Sequence, residues 1–295
     1  SATVTGSSVE GTQLSLTGEF RVKQGQALIG QSRVPAKDLS AVVSVAAGRL
    51  KISNLNGLYG TIHMKESKAL VSFLETGPRL EMDVVGTMTA ADLVQFLAKT
   101  VKSEQLSRVF ADSRDVEGDA APTFRMVGLL NQPGVVTFAG GEIIVKSVSL
   151  TNPVLPERLT ALGGRFVLSE GGTTFDQVTG RLGDLDLQVS GGITGGNGSA
   201  FKDLLIRGKG DADHMARLVP SHAIPAGTFE GLANGAVVLT GPTLSPHLRG
   251  EVVLTESKVT LPGLIEKPIG AQATVEFEGM IPKGSGVLLD KIELI

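Results

Sequence analysis

The sequence predicts a mainly β protein: an elongated, twisted antiparallel β-sheet built from repeats, with a few short α-helices. Three observations predict it. Leu185, Leu187 and Val189 alternate strictly with Asp184, Asp186, Gln188 and Ser190, and a period of two makes a strand with one apolar and one wet face. Glycines 171, 172, 180, 183 and 191 punctuate the runs between 164 and 191, as tight turns of a meander require. One order of features also recurs: Gly57 to Gly180 spans 123 residues, Leu39 to Leu159 spans 120, and Leu159 to Ile269 spans 110.

The elements follow in order. Residues 1–10 are small and polar and read as a frayed end or linker. Alternation starts at Gln13, with Phe20 and Val22 set against Glu19, Arg21 and Lys23, and breaks at Gly25. Pro35 cannot donate to a central ladder, so 34–39 reads as a loop or an edge. Strands are expected at 42–45, 49–53, 60–65, 69–75 and 79–86, with turns at Asn54–Gly60 and again at Gln177–Gly183. At Gly86 the period changes. Thr89 is a good N-cap with Asp92 three residues on, and Leu93, Phe96 and Leu97 share a helical face. A second helical run covers 104–111, and 112–122 reads as a charged, mobile loop and the best place for a seam.

Strands resume at 124–130, 134–139 and 142–150, then through the central meander to 201–208, with a glycine-rich tip at 192–200. Residues 210–220 read as a short helix stopped by Pro220. Strands return at 227–230, 236–241, 247–255, 258–261 and 271–279, with 262–268 a loop and a last strand from Val287. The organisation is thus a linker at 1–12, a first repeat at 13–122 with a helical insertion at 89–111, a second at 123–224 with a helix at 211–219, and an incomplete third at 225–295. The chain opens without Met and ends inside an alternation, so it is expected to be a piece of a longer array.

Bulk properties exclude several functions. Formal net charge is −3, from 27 basic and 30 acidic residues, which gives no electrostatic footprint for nucleic acid. There is no Cys, which removes disulfides and thiolate sites. No run of about 18 apolar residues exists to span a bilayer as a helix. The histidines at 63, 214, 222 and 247 carry no HExxH spacing, and Asp184, Asp186, Asp211 and Asp213 form no calcium-loop motif. The glycine-rich 191–198 lacks the Lys-Ser/Thr tail of a phosphate loop, and no serine sits in a nucleophile elbow. No enzyme, cofactor or metal site is expected.

The alternating strand, the turns at Asn54–Gly60 and within Phe175–Val189, and the glycine leading into a short Asp-containing helix at Gly86–Leu93 and Gly210–Leu218 resemble the AsmA-like proteins of the Gram-negative envelope, including their YhdP- and TamB-type branches. The resemblance implies an inner-membrane-anchored periplasmic protein whose curled sheet has an open hydrophobic groove carrying phospholipid between inner and outer membranes. It carries no signature residue; what transfers is the apolar face. On that reading acyl chains lie along Leu80, Met82, Val84, Phe166, Leu168, Leu185, Leu187, Val189, Val275 and Phe277. The expected partners are phospholipid or fatty-acyl chains, and membranes through parts outside this chain. Alternation is the same for a face sealed in a dry core, so a structural or adhesive β-repeat stays open as the alternative. A carbohydrate-binding sandwich is weaker: eleven Phe, one Tyr and no Trp leave few rings for sugars.

Overall fold

A computed structural model describes residues 2–7, 15–29, 34–46, 48–100, 104–130, 137–195, 198–218, 227–282 and 287–295. Pro220, His222 and the start of the strand expected at 134 lie outside them. The described chain is mainly β, an open antiparallel sheet with three short helices. It falls into two compact units: residues 1–92, 119–144 and 168–170, and residues 93–118, 145–167 and 171–295.

In the first unit, β1 (Ala2–Ser7), β2 (Ser15–Ile29), β3 (Val34–Ala46), β4 (Arg49–Tyr59), β5 (Ile62–Leu74) and β6 (Gly77–Thr89) form an antiparallel meander, each strand paired with the next. Then β7 (Arg114–Leu129) pairs with β6, placing Val84 opposite Phe124 and Met88 opposite Ala120. The alternation of β6 is reproduced in its burial: Leu80, Met82, Val84 and Met88 are buried while Arg79, Asp83 and Val85 face out. Val84 and Met82 are 0% and 2% exposed, and burial of such side chains stabilises by about 1.5–3 kcal/mol each. On the outer face Arg125 bridges to Glu81 at 2.6 Å, a cross-strand pair whose exposure limits it to about 0–1 kcal/mol.

Strands β8 (Thr137–Thr151) and β9 (Leu159–Ser169) lead into the second unit's own meander. There β10 (Gly172–Leu182), β11 (Leu185–Thr194), β12 (Ala200–Asp211), β13 (Thr228–Pro242), β14 (His247–Val253), β17 (Thr274–Met280) and β18 (Leu288–Leu294) pair in that order. A small branch, β15 (Ser257–Leu261) with β16 (Ile265–Lys267), pairs onto Thr228–Gly231, the part of β13 that runs past the end of β12.

The helices are α1 (Ala90–Thr100), α2 (Glu104–Ala111) and α3 (Ala212–Leu218). The Asp92 N–H donates to Thr89 Oγ1 at 3.1 Å, and that hydroxyl donates to Asp92 Oδ2 at 2.7 Å, so the expected cap forms. On α1 Leu93 is buried, but Phe96 is 41% exposed, so the expected apolar face is narrower than its spacing implied. Buried Asn152 ties the end of α2 to β8: its Nδ2 donates to Val109 O at 2.6 Å and to Ser113 Oγ at 3.0 Å.

Several breaks that the sequence marks as turns are bulges inside longer strands. Asn54–Tyr59 lies within β4, Gln177–Leu182 within β10, and Gly25 within β2; the reversals come later, at Gly60 and Gly183. The cause is a repeated device. In β3 the inward positions run Ala36, then Leu39 and Ala41; in β5, Met64, then Ser67 and Ala69; in β10, Phe175, then Val178; in β12, Phe201, then Leu204. Each three-residue step holds two consecutive outward polar residues. The second is left-handed: Asp38 (φ 54°), Glu66 (54°), Gln177 (49°) and Asp203 (47°). The register shifts at the same places. One extra residue per strand bends it and raises its twist. At each such site a non-glycine residue accepts a conformation costing about 1–2 kcal/mol.

Left-handed positions recur at one offset: Gln24 and Ser147, Asp38 and Ala161, Asn54 and Gln177 are each 123 residues apart, as are the turn glycines Gly60 (φ 62°) and Gly183 (φ 59°). The β-repeat is therefore present in backbone geometry as well as in composition. Four further readings change. Residues 114–122, within the stretch read as a loop, are the first half of β7. Val116, Gly118, Ala120 and Pro122 take its inward positions, and side chains this small hide the period. Residues 2–7, read as linker, are β1, paired from Ala2 opposite Phe20. Pro35 is the second residue of β3, paired to Leu28 on one side only. The loop read at 262–268 contains β16.

Candidate apolar binding site

The second unit contains an apolar cavity of about 780 Å³. Its floor is the inward face of β13, β14, β17 and β18. Register aligns that face into cross-strand rows: Leu239, Leu248, Gly279 and Leu289 form one, and Val237, Gly250, Phe277 and Ile292 the next. Gly250 has no side chain because the Phe277 ring and Ala236 O occupy the space a Cβ would need. On β18 the step from Leu289 to Ile292 crosses a register shift at Asp290. That shift keeps Leu289, Ile292 and Leu294 all on the cavity.

The opposite wall is α3 and the β15–β16 branch. Ala212, Met215 and Ala216 of α3 line the cavity, as do Val259, Leu261 and Ile265. A buried cluster of Ala212, Ala233, Leu254, Val259 and Ala273 joins the walls at one side. Among the described lining residues only Lys267 and Gln272 have polar side chains.

On its other side α3 is anchored electrostatically. Asp211 Oδ1 accepts the His214 N–H at 3.0 Å, the N-cap arrangement. The His214 ring is 4% exposed; its Nδ1 contacts Asp184 Oδ1, and Nε2 lies 3.1 Å from Glu157 Oε1. Nε2 is buried without a well-directed hydrogen bond among the described residues. The carboxylates weighed as calcium ligands are thus spread over separate tasks: Asp184 on His214, Asp186 on Arg181 at 2.9 Å, Asp213 on Arg217 at 3.6 Å, and Asp211 on the cap. Among the described residues no group of three His, Cys, Asp or Glu side chains could hold a metal.

Of the residues expected to line a groove, the structure brings Val275 and Phe277 to the cavity. Leu80, Met82 and Val84 are buried in the first unit, and Leu185 is buried in the second. Phe166 packs edge-to-face on Phe175 with centroids 5.6 Å apart. Leu168, Leu187 and Val189 are half-buried, and none of the eight touches the cavity. Sequence reasoning missed Met215, Phe229, Leu239, Leu248, Leu261 and Ile292. The strands that carry Leu239 and Leu248 were visible at 236–241 and 247–255, but nothing in a period of two says which inward face stays uncovered. Comparison with known protein families gives no match, and neither curated proteins nor solved structures yield one.

Proposed function

We propose that this cavity holds hydrocarbon chains, and that the protein is a non-enzymatic segment of a periplasmic conduit passing phospholipid between inner and outer membranes, as the AsmA-like resemblance implies. The observation that carries the reading is the cavity's lining: about 780 Å³ walled by aliphatic and aromatic side chains with two polar exceptions. That volume sits within the roughly 300–1,000 Å³ of small-molecule sites. Water in such a space leaves apolar surface unsatisfied at about 25 cal/mol per Å², so an acyl chain is the favoured occupant. The reading needs no catalytic residue and no cofactor.

The test is extraction. The 295-residue chain, purified from bacteria and extracted with organic solvent, should release phospholipid or fatty acid, and the delipidated protein should bind a fluorescent fatty acid. Release of no lipid together with no binding overturns the proposal. The second reading, a structural or adhesive β-repeat, is favoured by the burial of Val84 and Met82 on β6. It expects an apolar face that takes no ligand.

A further inference from the structure

We infer that the cavity selects amphiphiles with an oxyanion head group, a carboxylate or a phosphate, and that Lys267 Nζ is the group that holds it. This rests on the cavity being a hydrocarbon site and names the head group that site prefers. Register fixes where Lys267 stands. It lies opposite Val259, which in turn lies opposite Phe229. All three line the cavity, so the ammonium-bearing side chain shares a face with the apolar wall. Lys267 is 8% exposed. Nζ donates to Ser257 O at 2.6 Å and to Pro268 O at 3.1 Å. An ammonium has three N–H donors, so one remains. Among the described residues no carboxylate pairs with it; the adjacent Glu266 alternates to the other, exposed face of β16.

A buried cation without a counter-ion is costly, and neutral carbonyls offset only part of that cost. Elsewhere in this protein basic groups meet acids on the surface, as Arg125 meets Glu81 and Arg158 meets Glu117. Lys267 instead stands, with no acid beside it among the described residues, in the apolar lining of the cavity. An oxyanion at the end of a hydrocarbon chain supplies the missing charge and fills the apolar space in one molecule. Gln272, the other polar lining residue, offers an amide donor to the same head group.

The experiment compares four probes on the delipidated chain: a long-chain fatty acid, the fatty alcohol of equal length, a single-chain phosphate monoester, and inorganic phosphate. A charge-assisted hydrogen bond makes the acid and the monoester bind about tenfold to a hundredfold more tightly than the alcohol. Inorganic phosphate, lacking the chain, does not bind measurably. Lys267→Met brings acid and alcohol to equal affinity, and Lys267→Arg keeps the preference. Equal binding of acid and alcohol by the unaltered protein overturns this inference and leaves the hydrocarbon site standing. Failure of the alcohol and the acid alike overturns both. Tight binding of inorganic phosphate alone overturns the amphiphile assignment. A Lys267 that only clamps the carbonyls of Ser257 and Pro268 predicts that Lys267→Met lowers the melting temperature with the acid-to-alcohol ratio unchanged, and that result also overturns it. Because the first comparison uses the unaltered chain, it holds even where Lys267→Met fails to fold.

Discussion

Ser67 shows how one side chain mends a bulge. It is fully buried, its Oγ donates to Val85 O at 3.1 Å, and it accepts from the Val85 N–H at 3.0 Å. The register between β5 and β6 is broken between Met64 and Lys68, so the hydroxyl stands in for the ladder partner that Val85 has lost. Ser67→Ala leaves both backbone groups buried and unpaired, and the expected loss is about 1–3 kcal/mol, read as a lower urea midpoint at unchanged slope. Asn56 does related work on the exposed side: its Nδ2 donates to Asn54 O at 2.8 Å, and its Oδ1 accepts the Glu66 N–H at 3.0 Å, linking the bulges of β4 and β5. Little of this was legible in sequence. A buried serine looks like any strand serine until the broken register beside it is known. The burial of His214 was not legible either, because its two carboxylate neighbours come from residues 157 and 184, distant in sequence and unmarked by spacing.

Strands and helices were more legible than their ends. Hydrophobic alternation located most of the strands, and the cap and 3.6-residue spacing located α1. What failed was the meaning of an interruption. Asp176-Gln177 between Phe175 and Val178 looks like the edge of a strand, but the backbone passes straight through by way of a left-handed Gln177. Thus β5 was read as two shorter strands, 60–65 and 69–75, and β8 as 134–139 and 142–150. The cavity floor gives a prediction at this scale. Leu239 faces the cavity while Val238 points to the other side of β13. Leu239→Trp fills space at the floor, and the expected outcome is a several-fold loss of fatty-acid affinity with the β spectrum retained. Val238→Trp, one residue away, leaves affinity unchanged. Equal effects of the two in a ligand titration would show that the ligand lies elsewhere.

At the scale of the molecule, composition and periodicity were enough for fold class, because a glycine-punctuated period of two has few solutions other than an antiparallel sheet. They were not enough for the site. Leu80 and Phe277 both occupy inward strand positions, yet Leu80 is sealed and Phe277 borders empty space. The difference is made by which distant elements, α3 and the β15–β16 branch, arrive over the strand. The bulges also decide how the chain tolerates changes of length. Between Phe175 and Val178 β10 uses one residue more than its β11 partner. Excising Gln177 restores an even count, and every downstream side chain keeps its side. Excising Thr179, two positions later, turns Gly180 and Leu182 outward. Circular dichroism and thermal unfolding should find the first deletion folded and the second collapsed. Evolution or an engineer can thus straighten this ribbon one notch at a time by removing single codons, without rewriting its greasy side.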